Sequence, residues 1–465
     1  MVTALQNSFK PGKWTQYTIL FILLSIVGIN LGHHRYNKPD GVIEWDIKSY
    51  YAYLPAVFIY HDLSLGFMDD DPEKFKGLIW PLTSPTGDRI IKVSMGMSVL
   101  YTPFFLAAHL VAQFTPWEAD GYSRPYRFAL TFSALFYIWL GLIYLTRVLR
   151  RYFADKVVAM TLLAVVPGTN LLYYSTFEAP MSHAFNFALI AVFMWQTIRF
   201  YEAPSLGRIA MAGALAGLIT LIRPTNILVL LIFFLWDIRS VEQFKNRVLF
   251  FVHHFGWVIL MAGIFVLVWV PQFIYWKSLT GTFFFFSYGA QSERFFFAEP
   301  QIFNILFSYK KGWLVYTPIM VLAFAGMIWM RRKLPGMMLP LLAFQLINIY
   351  ILSSWWSWWF GGGFGLRAFI DSYALMAIPM ACLMEYAFDG PRWRKAVLIS
   401  LTVALIMLNL FQTWQYTKGM IHWENMNRKT YWMHFLRVNP APGYWDEIKK
   451  QYEEDLEWYR RVGQA

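Results

Sequence analysis

The sequence predicts an all-α polytopic membrane protein: a bundle of about eleven transmembrane helices with interfacial helices in its first outer loop. Three observations carry this. Of 465 residues, 57% are hydrophobic and only 15% charged, against about 25% charged in soluble domains. Apolar runs of span length recur along the whole chain. Lys and Arg gather in short loops between alternate runs, the bias expected of cytoplasmic loops. A soluble enzyme of two or three domains is excluded. The net charge of +12 belongs to those loops, so no nucleic-acid partner is expected. The single cysteine, Cys382, lies in an apolar run, and no intrachain disulfide can form.

The runs lie at 16–32, 94–114, 126–147, 157–174, 184–200, 208–222, 224–237, 248–276, 313–330, 336–352, 369–388 and 396–416. About 20 apolar residues cross about 30 Å of hydrocarbon. The first run follows Lys10 and Lys13 and lacks a small-residue cleavage site, so it reads as an uncleaved helix with the N-terminus inside. Basic loops at Arg147/Arg150/Arg151/Lys156, Arg199/Arg208, Arg239/Lys245/Arg247, Arg331/Arg332/Lys333 and Arg392/Arg394/Lys395 fix the rest. All face the cytoplasm only if 94–114, with Pro103, His109 and Gln113, stays on the outer side as an interfacial or re-entrant segment.

The same parity splits 208–237 into two short helices meeting at Arg223-Pro224, a break of the kind that points to a binding site. The outer side then holds 33–125, about 175–183, the apex at 223, 277–312, 353–368 and 417–465. Residues 1–416 form the transmembrane module. In its first loop, 46–60 suits a helix along the interface with tyrosines at headgroup level. Residues 417–465 form a short outer tail, whose stretch 444–462 predicts a solvated amphipathic helix.

Polar chemistry concentrates on the outer side. Glu44-Trp45-Asp46 opens the interfacial helix, and two carboxylates two positions apart cannot share a helical face. Asp46 serves either as a helix cap or as a cleft carboxylate. Glu178 follows the fourth run and His183 begins the fifth; a wet loop competes with a functional site for Glu178, whereas a titratable group at membrane depth, such as His183, is functional by default. Their spacing matches no metal motif.

Arg223 inside the membrane costs about 2.5–3.5 kcal/mol on insertion scales. It faces a polar cavity or an anion, or else pairs with a carboxylate such as Glu178. Lys310, Lys311 and Arg367 stand on the outer side against the charge trend, as candidate grips for an anionic headgroup or phosphate. The Trp355–Trp359 cluster reads as interfacial belt or as a sugar platform, and Gly361-Gly362-Gly363 beside it argues for close backbone approach. Glu178, His183, Tyr50 and Trp358 are the candidates for acceptor or sugar contacts.

An acidic motif in the first outer loop, an interfacial helix after it and many helices beyond resemble the GT-C superfamily of polyprenyl-phosphate-dependent glycosyltransferases. That superfamily includes protein O-mannosyltransferases and the aminoarabinose transferase of lipid A. Glu-Ala-Pro-Met-Ser-His (178–183), Leu-Ile-Arg-Pro-Thr-Asn (221–226), Ser-Tyr-Lys-Lys-Gly-Trp (308–313) and Phe-Gly-Gly-Gly-Phe-Gly-Leu-Arg (360–367) are similar to segments of bacterial dolichyl-phosphate-mannose-type transferases.

The resemblance implies a GT-C-like bundle and inverting transfer of a hexosyl or pentosyl group from a polyprenyl-phosphate sugar to an acceptor hydroxyl. The catalytic acids would be Asp46 or Glu44, which Trp45 separates here where many members carry adjacent acids. It implies donor phosphate on Arg223, Lys310, Lys311 or Arg367, a lipid, glycan or protein acceptor, and a periplasmic active site in the bacterial inner membrane. No cofactor is assigned: some members use a divalent ion, but no convincing ligand set is visible. A transporter or lipid flippase predicts inverted repeats, and no repeat is visible; an O-antigen ligase-like enzyme would rely on late periplasmic loops.

Overall fold

The computed structural model describes residues 11–291 and 293–463. Lys10, counted among the basic residues ahead of the first helix, lies outside them. The chain folds into nineteen α-helices among the described residues, linked by short 3₁₀ turns and one small hairpin. In order, α1 (Lys13–His33) leads to α2 (Asp46–Phe58), α3 (Pro72–Phe75) and the antiparallel pair β1 (Pro81–Thr83) and β2 (Arg89–Ile91). Then come α4 (Gly96–Gln113), α5 (Arg124–Arg150), α6 (Asp155–Val165), α7 (Ser182–Glu202), α8 (Leu206–Ile222) and α9 (Val229–Leu235). The second half runs α10 (Val241–His253), α11 (Phe255–Thr280), α12 (Ile302–Phe307), α13 (Trp313–Tyr316), α14 (Met320–Lys333) and α15 (Met338–Ser353). It closes with α16 (Tyr373–Phe388), α17 (Arg392–Thr417), α18 (Arg428–His434) and α19 (Tyr444–Val462).

Among the described residues, six helical segments are long and apolar enough to cross a membrane: Lys13–Asn37, Arg124–Arg150, Phe255–Thr280, Pro335–Ser353, Arg367–Phe388 and Arg392–Thr417. Leu206–Ile222 and Pro224–Leu235 are shorter apolar helices. The bundle is a polytopic membrane architecture. Its centre is α16, buried nearly throughout, packed against α14, α6 and α7. Gly326 of α14 permits this: a Cβ there would lie 1.9 Å from the Pro379 carbonyl oxygen of α16, and small residues let membrane helices approach closely. By contrast α11 and α17 expose most of their apolar surface, as lipid-facing helices do.

Several expected runs resolve differently. Run 157–174 yields α6, which stops at Val165 before Pro167 and Gly168; turns follow, then a 3₁₀ helix at Tyr173–Ser175. Run 313–330 breaks at Thr317-Pro318 into α13 and α14, because proline cannot donate into the helical ladder. Run 248–276 belongs to two helices that part at His254. The break at Arg223-Pro224 is present: α8 ends at Ile222, Arg223 is extended, and a 3₁₀ turn begins at Pro224.

The segment 94–114 forms one continuous helix, α4, packed on α5 and α2. The helix expected at 46–60 is present as α2 (Asp46–Phe58). Tyr50, Tyr51 and Tyr53 point inward and are buried, and the Tyr53 hydroxyl donates to the Val93 carbonyl at 2.7 Å.

Candidate functional site

The acidic motif is divided by its own backbone. Trp45 has φ 51° and ψ −133°, a conformation that costs a bulky residue about 1–3 kcal/mol. The twist sends the two carboxylates to different partners. Glu44 Oε2 meets Arg35 Nη2 at 2.6 Å, and Arg35 is itself fixed by donating to the carbonyls of Gly41 and Phe177, both at 2.6 Å. Asp46 meets Arg367 Nη2 at 3.0 Å. Asp46 is the first helical residue of α2, and the Trp45 cap position makes no side-chain capping bond. A helix cap therefore does not account for Asp46, whose side chain stays 45% exposed.

Arg367 ends a loop held from several sides. Its Nε donates to the Phe360 carbonyl at 3.0 Å, and the Phe364 amide donates to the Tyr174 hydroxyl at 3.1 Å. Gly363 has φ 148°, and a Cβ there would lie 2.3 Å from Tyr174 Oη. This is the close backbone approach that the glycine triplet predicts. The C-terminal segment braces the same loop: Glu424 accepts from Trp359 Nε1 at 2.7 Å and from Tyr459 Oη at 2.9 Å, and Trp458 Nε1 donates to the Trp356 carbonyl at 3.0 Å.

Arg223 has a carboxylate partner, and it is Asp371 rather than Glu178. Arg223 Nη1 lies 3.1 Å from Asp371 Oδ2, which also accepts from Asn226 at 2.7 Å and Asn186 at 3.2 Å. His183 Nδ1 lies 3.7 Å from the other carboxylate oxygen. His183 is thus buried inside the ion centre, its ring edge-on to Tyr174, and does not face an open cleft. Asp371 was legible by the rule that picks out Arg223, a charge inside an apolar run. Arg367 and Asp371 share one 3₁₀ turn, Arg367–Ser372, so one short element fixes partners for both Asp46 and Arg223.

The two lysines are not open grips. Lys310 is buried, paired with Asp455 at 2.6 Å and seated over the Trp359 ring at 4.0 Å. Lys311 is 2% exposed and donates to the Gly363 carbonyl. Burial, then the positive charge of Arg367, pushes its amine down to about 7. Trp358 is buried against Trp359 and offers no open face to a sugar.

Glu178 accepts from Tyr173 Oη at 3.1 Å. Burial makes it a weaker acid than an ordinary glutamate, and Arg367 is the largest of the charges that partly offset this. Tyr50 lies among Asp46, Arg223 and Arg367, and its phenol is raised first by burial and then by Asp46. Tyr288 closes the same neighbourhood beside the Lys92–Glu293 pair, which meets at 2.8 Å.

Of the four basic candidates, the Arg223 and Arg367 side chains stay partly exposed (19% and 16%), and Arg367 stands beside the half-exposed Asp46 carboxylate. That arrangement can hold an anion beside a base. Among the described residues no three His, Cys, Asp or Glu side chains are placed to hold a metal ion.

No family model and no curated protein matches the chain. A solved structure that it resembles is the archaeal oligosaccharyltransferase AglB from Archaeoglobus fulgidus, in complex with an inhibitory peptide and a dolichol-phosphate. The two are 14% identical with a TM-score of 0.50, over 96% of this chain and 59% of that one. The chain thus spans well under two thirds of the AglB chain, and the likeness is one of fold.

Proposed function

We propose that this protein is a membrane glycosyltransferase that moves a sugar from a polyprenyl-phosphate donor to an acceptor hydroxyl at the outer face of a bacterial inner membrane. The observation that carries the proposal is the half-exposed Asp46 carboxylate 3.0 Å from Arg367, with Arg223 and Tyr50 alongside. The fold likeness to AglB supports it, since that protein's structure holds a dolichol-phosphate. The topology that accompanies the proposal has about eleven crossings, a cytoplasmic N-terminus and a periplasmic C-terminus, as the basic loops require.

In this mechanism the donor phosphate binds Arg367 and Arg223, and Asp46, displaced from Arg367, turns to the acceptor. The acceptor oxygen attacks the anomeric carbon and its proton passes to Asp46, a contribution of about 10²–10⁴-fold. The bond from the anomeric carbon to the phosphate oxygen breaks, and the two guanidinium groups stabilise the charge that develops there. One displacement inverts the anomeric centre. Glu44 is held by Arg35 and acts as structural support.

Native mass spectrometry of the purified protein with a panel of polyprenyl-phosphate sugars tests this proposal. One donor class is expected to bind wild type and Asp46→Asn and to be lost with Arg367→Ala. Absence of binding across the panel contradicts it.

A further inference from the structure

Beside the carboxylate that the proposed function uses lies a surface that it does not. Trp45 is 64% exposed and Trp80 45% exposed. Their rings stand edge to face, with centroids 6.3 Å apart and planes at 67°. Lys48, one turn along α2, sets its ammonium 4.3 Å from the centre of the Trp80 ring. Glu44, held at 2.6 Å from Arg35, precedes Trp45 and adds a fixed carboxylate at the same edge.

Both residues are held through the backbone around them. Trp45 sits at φ 51°, a conformation from which an ordinary residue relaxes, between a buried anchor (Ile43) and the first turn of α2. Trp80 precedes the hairpin whose connection is tied to α11: Thr86 Oγ1 donates to the Leu279 carbonyl at 2.6 Å, and the Ile91 amide to Tyr275 Oη at 2.9 Å.

An interfacial anchor explains tryptophans at a membrane boundary, but such an anchor works in any backbone conformation. It needs neither a right-angled pair nor a cation clasped to one of the rings. A pyranose ring can use the combination. Its C–H face, weakly positive, rests on the negative face of an indole; a second ring closes the edge; and an ammonium and a carboxylate hydrogen-bond the hydroxyls around the rim.

We infer that Trp45, Trp80 and Lys48 form an acceptor subsite for a pyranose ring, which makes the acceptor of the proposed transferase a glycan. The inference rests on the proposed function in one respect, that Asp46, the neighbour of Trp45, is where the acceptor hydroxyl reacts. Trp45 immediately precedes Asp46 at the start of α2, so a glycan resting on its ring is held beside the proposed base.

The test is saturation-transfer difference NMR on the full-length protein in nanodiscs, with methyl α-D-glucopyranoside, methyl β-D-galactopyranoside and methyl β-D-glucuronide as probes. At least one glycoside is expected to receive saturation on its ring C–H protons. The signal should fall about fivefold to tenfold in Trp45→Ala and in Trp80→Ala and return in Trp45→Phe. Trp45→Gly separates binding from strain, because glycine accepts the backbone conformation without penalty; it too is expected to lose the signal. No transfer from any probe, or equal transfer in the Trp45→Ala/Trp80→Ala double variant, overturns the inference and leaves the pair an interfacial anchor. Donor binding by native mass spectrometry is read in parallel. It stays intact if only the subsite is wrong, and fails if the transferase proposal is wrong.

Discussion

Asp46 and Arg367 lie 3.0 Å apart, so the carboxylate proposed as base rests on the guanidinium proposed for the donor phosphate. A phosphate and Asp46 compete for the same cation. Asp46→Asn, nearly isosteric, removes the competitor without removing the cation. Donor affinity is therefore expected to rise about two- to fivefold, the worth of a half-exposed pair, while turnover falls. Dissociation constants of wild type and Asp46→Asn for the selected donor decide it; weaker binding by the variant contradicts the competition.

The pair Arg223–Asp371 sits in the same site but is buried on the carboxylate side. Removing one partner of a buried pair costs about 3–5 kcal/mol, whereas apolar replacement of both is often neutral. Asp371→Ala is expected to lower the unfolding temperature strongly, and Arg223→Met/Asp371→Leu to recover most of it. The double variant should still bind donor poorly, because the recovered stability carries no guanidinium. Thermal unfolding and donor binding, measured on the same three proteins, separate the two roles.

Gly363 offers a substitution with an internal control. A Cβ there meets Tyr174 Oη at 2.3 Å, whereas one at Gly28, inside α1, meets nothing within 4 Å. Gly363→Ala is expected to displace the Arg367 loop and weaken donor binding at least tenfold. Gly28→Ala should stabilise α1 by about 0.5–1 kcal/mol with donor binding unchanged. Equal effects from the two would remove the loop from the account.

Lys311 gives a pH signature. Its amine is pushed down to about 7 by burial, against about 10.4 in an unfolded chain. Between those values the unfolded state binds more protons, so the contribution of Lys311 to stability rises with pH, by up to about 1.4 kcal/mol per unit. Below about 7 its penalty is constant. Wild type is expected to gain stability from pH 7 to pH 9 relative to Lys311→Met. Parallel curves for the two proteins would contradict the burial of a charge there.

The sequence exposed this site where charge stood against its surroundings. Arg223 in an apolar stretch and Arg367 on the side lacking basic loops were conspicuous for that reason, and Asp46 for opening a helix too short to span. Asp371 met the same criterion, yet its run reads as an uninterrupted span. The choice between Glu44 and Asp46 turned on the backbone of Trp45, which no residue type encodes. Lys310 and Lys311 misled because lysine suggests exposure, and Trp358 because a tryptophan cluster suggests an interfacial belt or a sugar platform. They are buried by chain that returns late, as Asp455 does to Lys310 across 145 positions, and contacts at that separation have no local signal. Helix ends followed the same division: Pro167, Pro224 and Pro318 are readable breaks, and the parting at His254 is not.

The most direct test of the central claim is single-turnover transfer of radiolabelled sugar from the donor that mass spectrometry selects, in wild type, Asp46→Asn and Glu44→Gln. With donor bound in all three, Asp46→Asn is expected to slow transfer by about 10²-fold or more and Glu44→Gln to stay within a few-fold of wild type. Transfer by Asp46→Asn at the wild-type rate would contradict the assignment of Asp46 as the base.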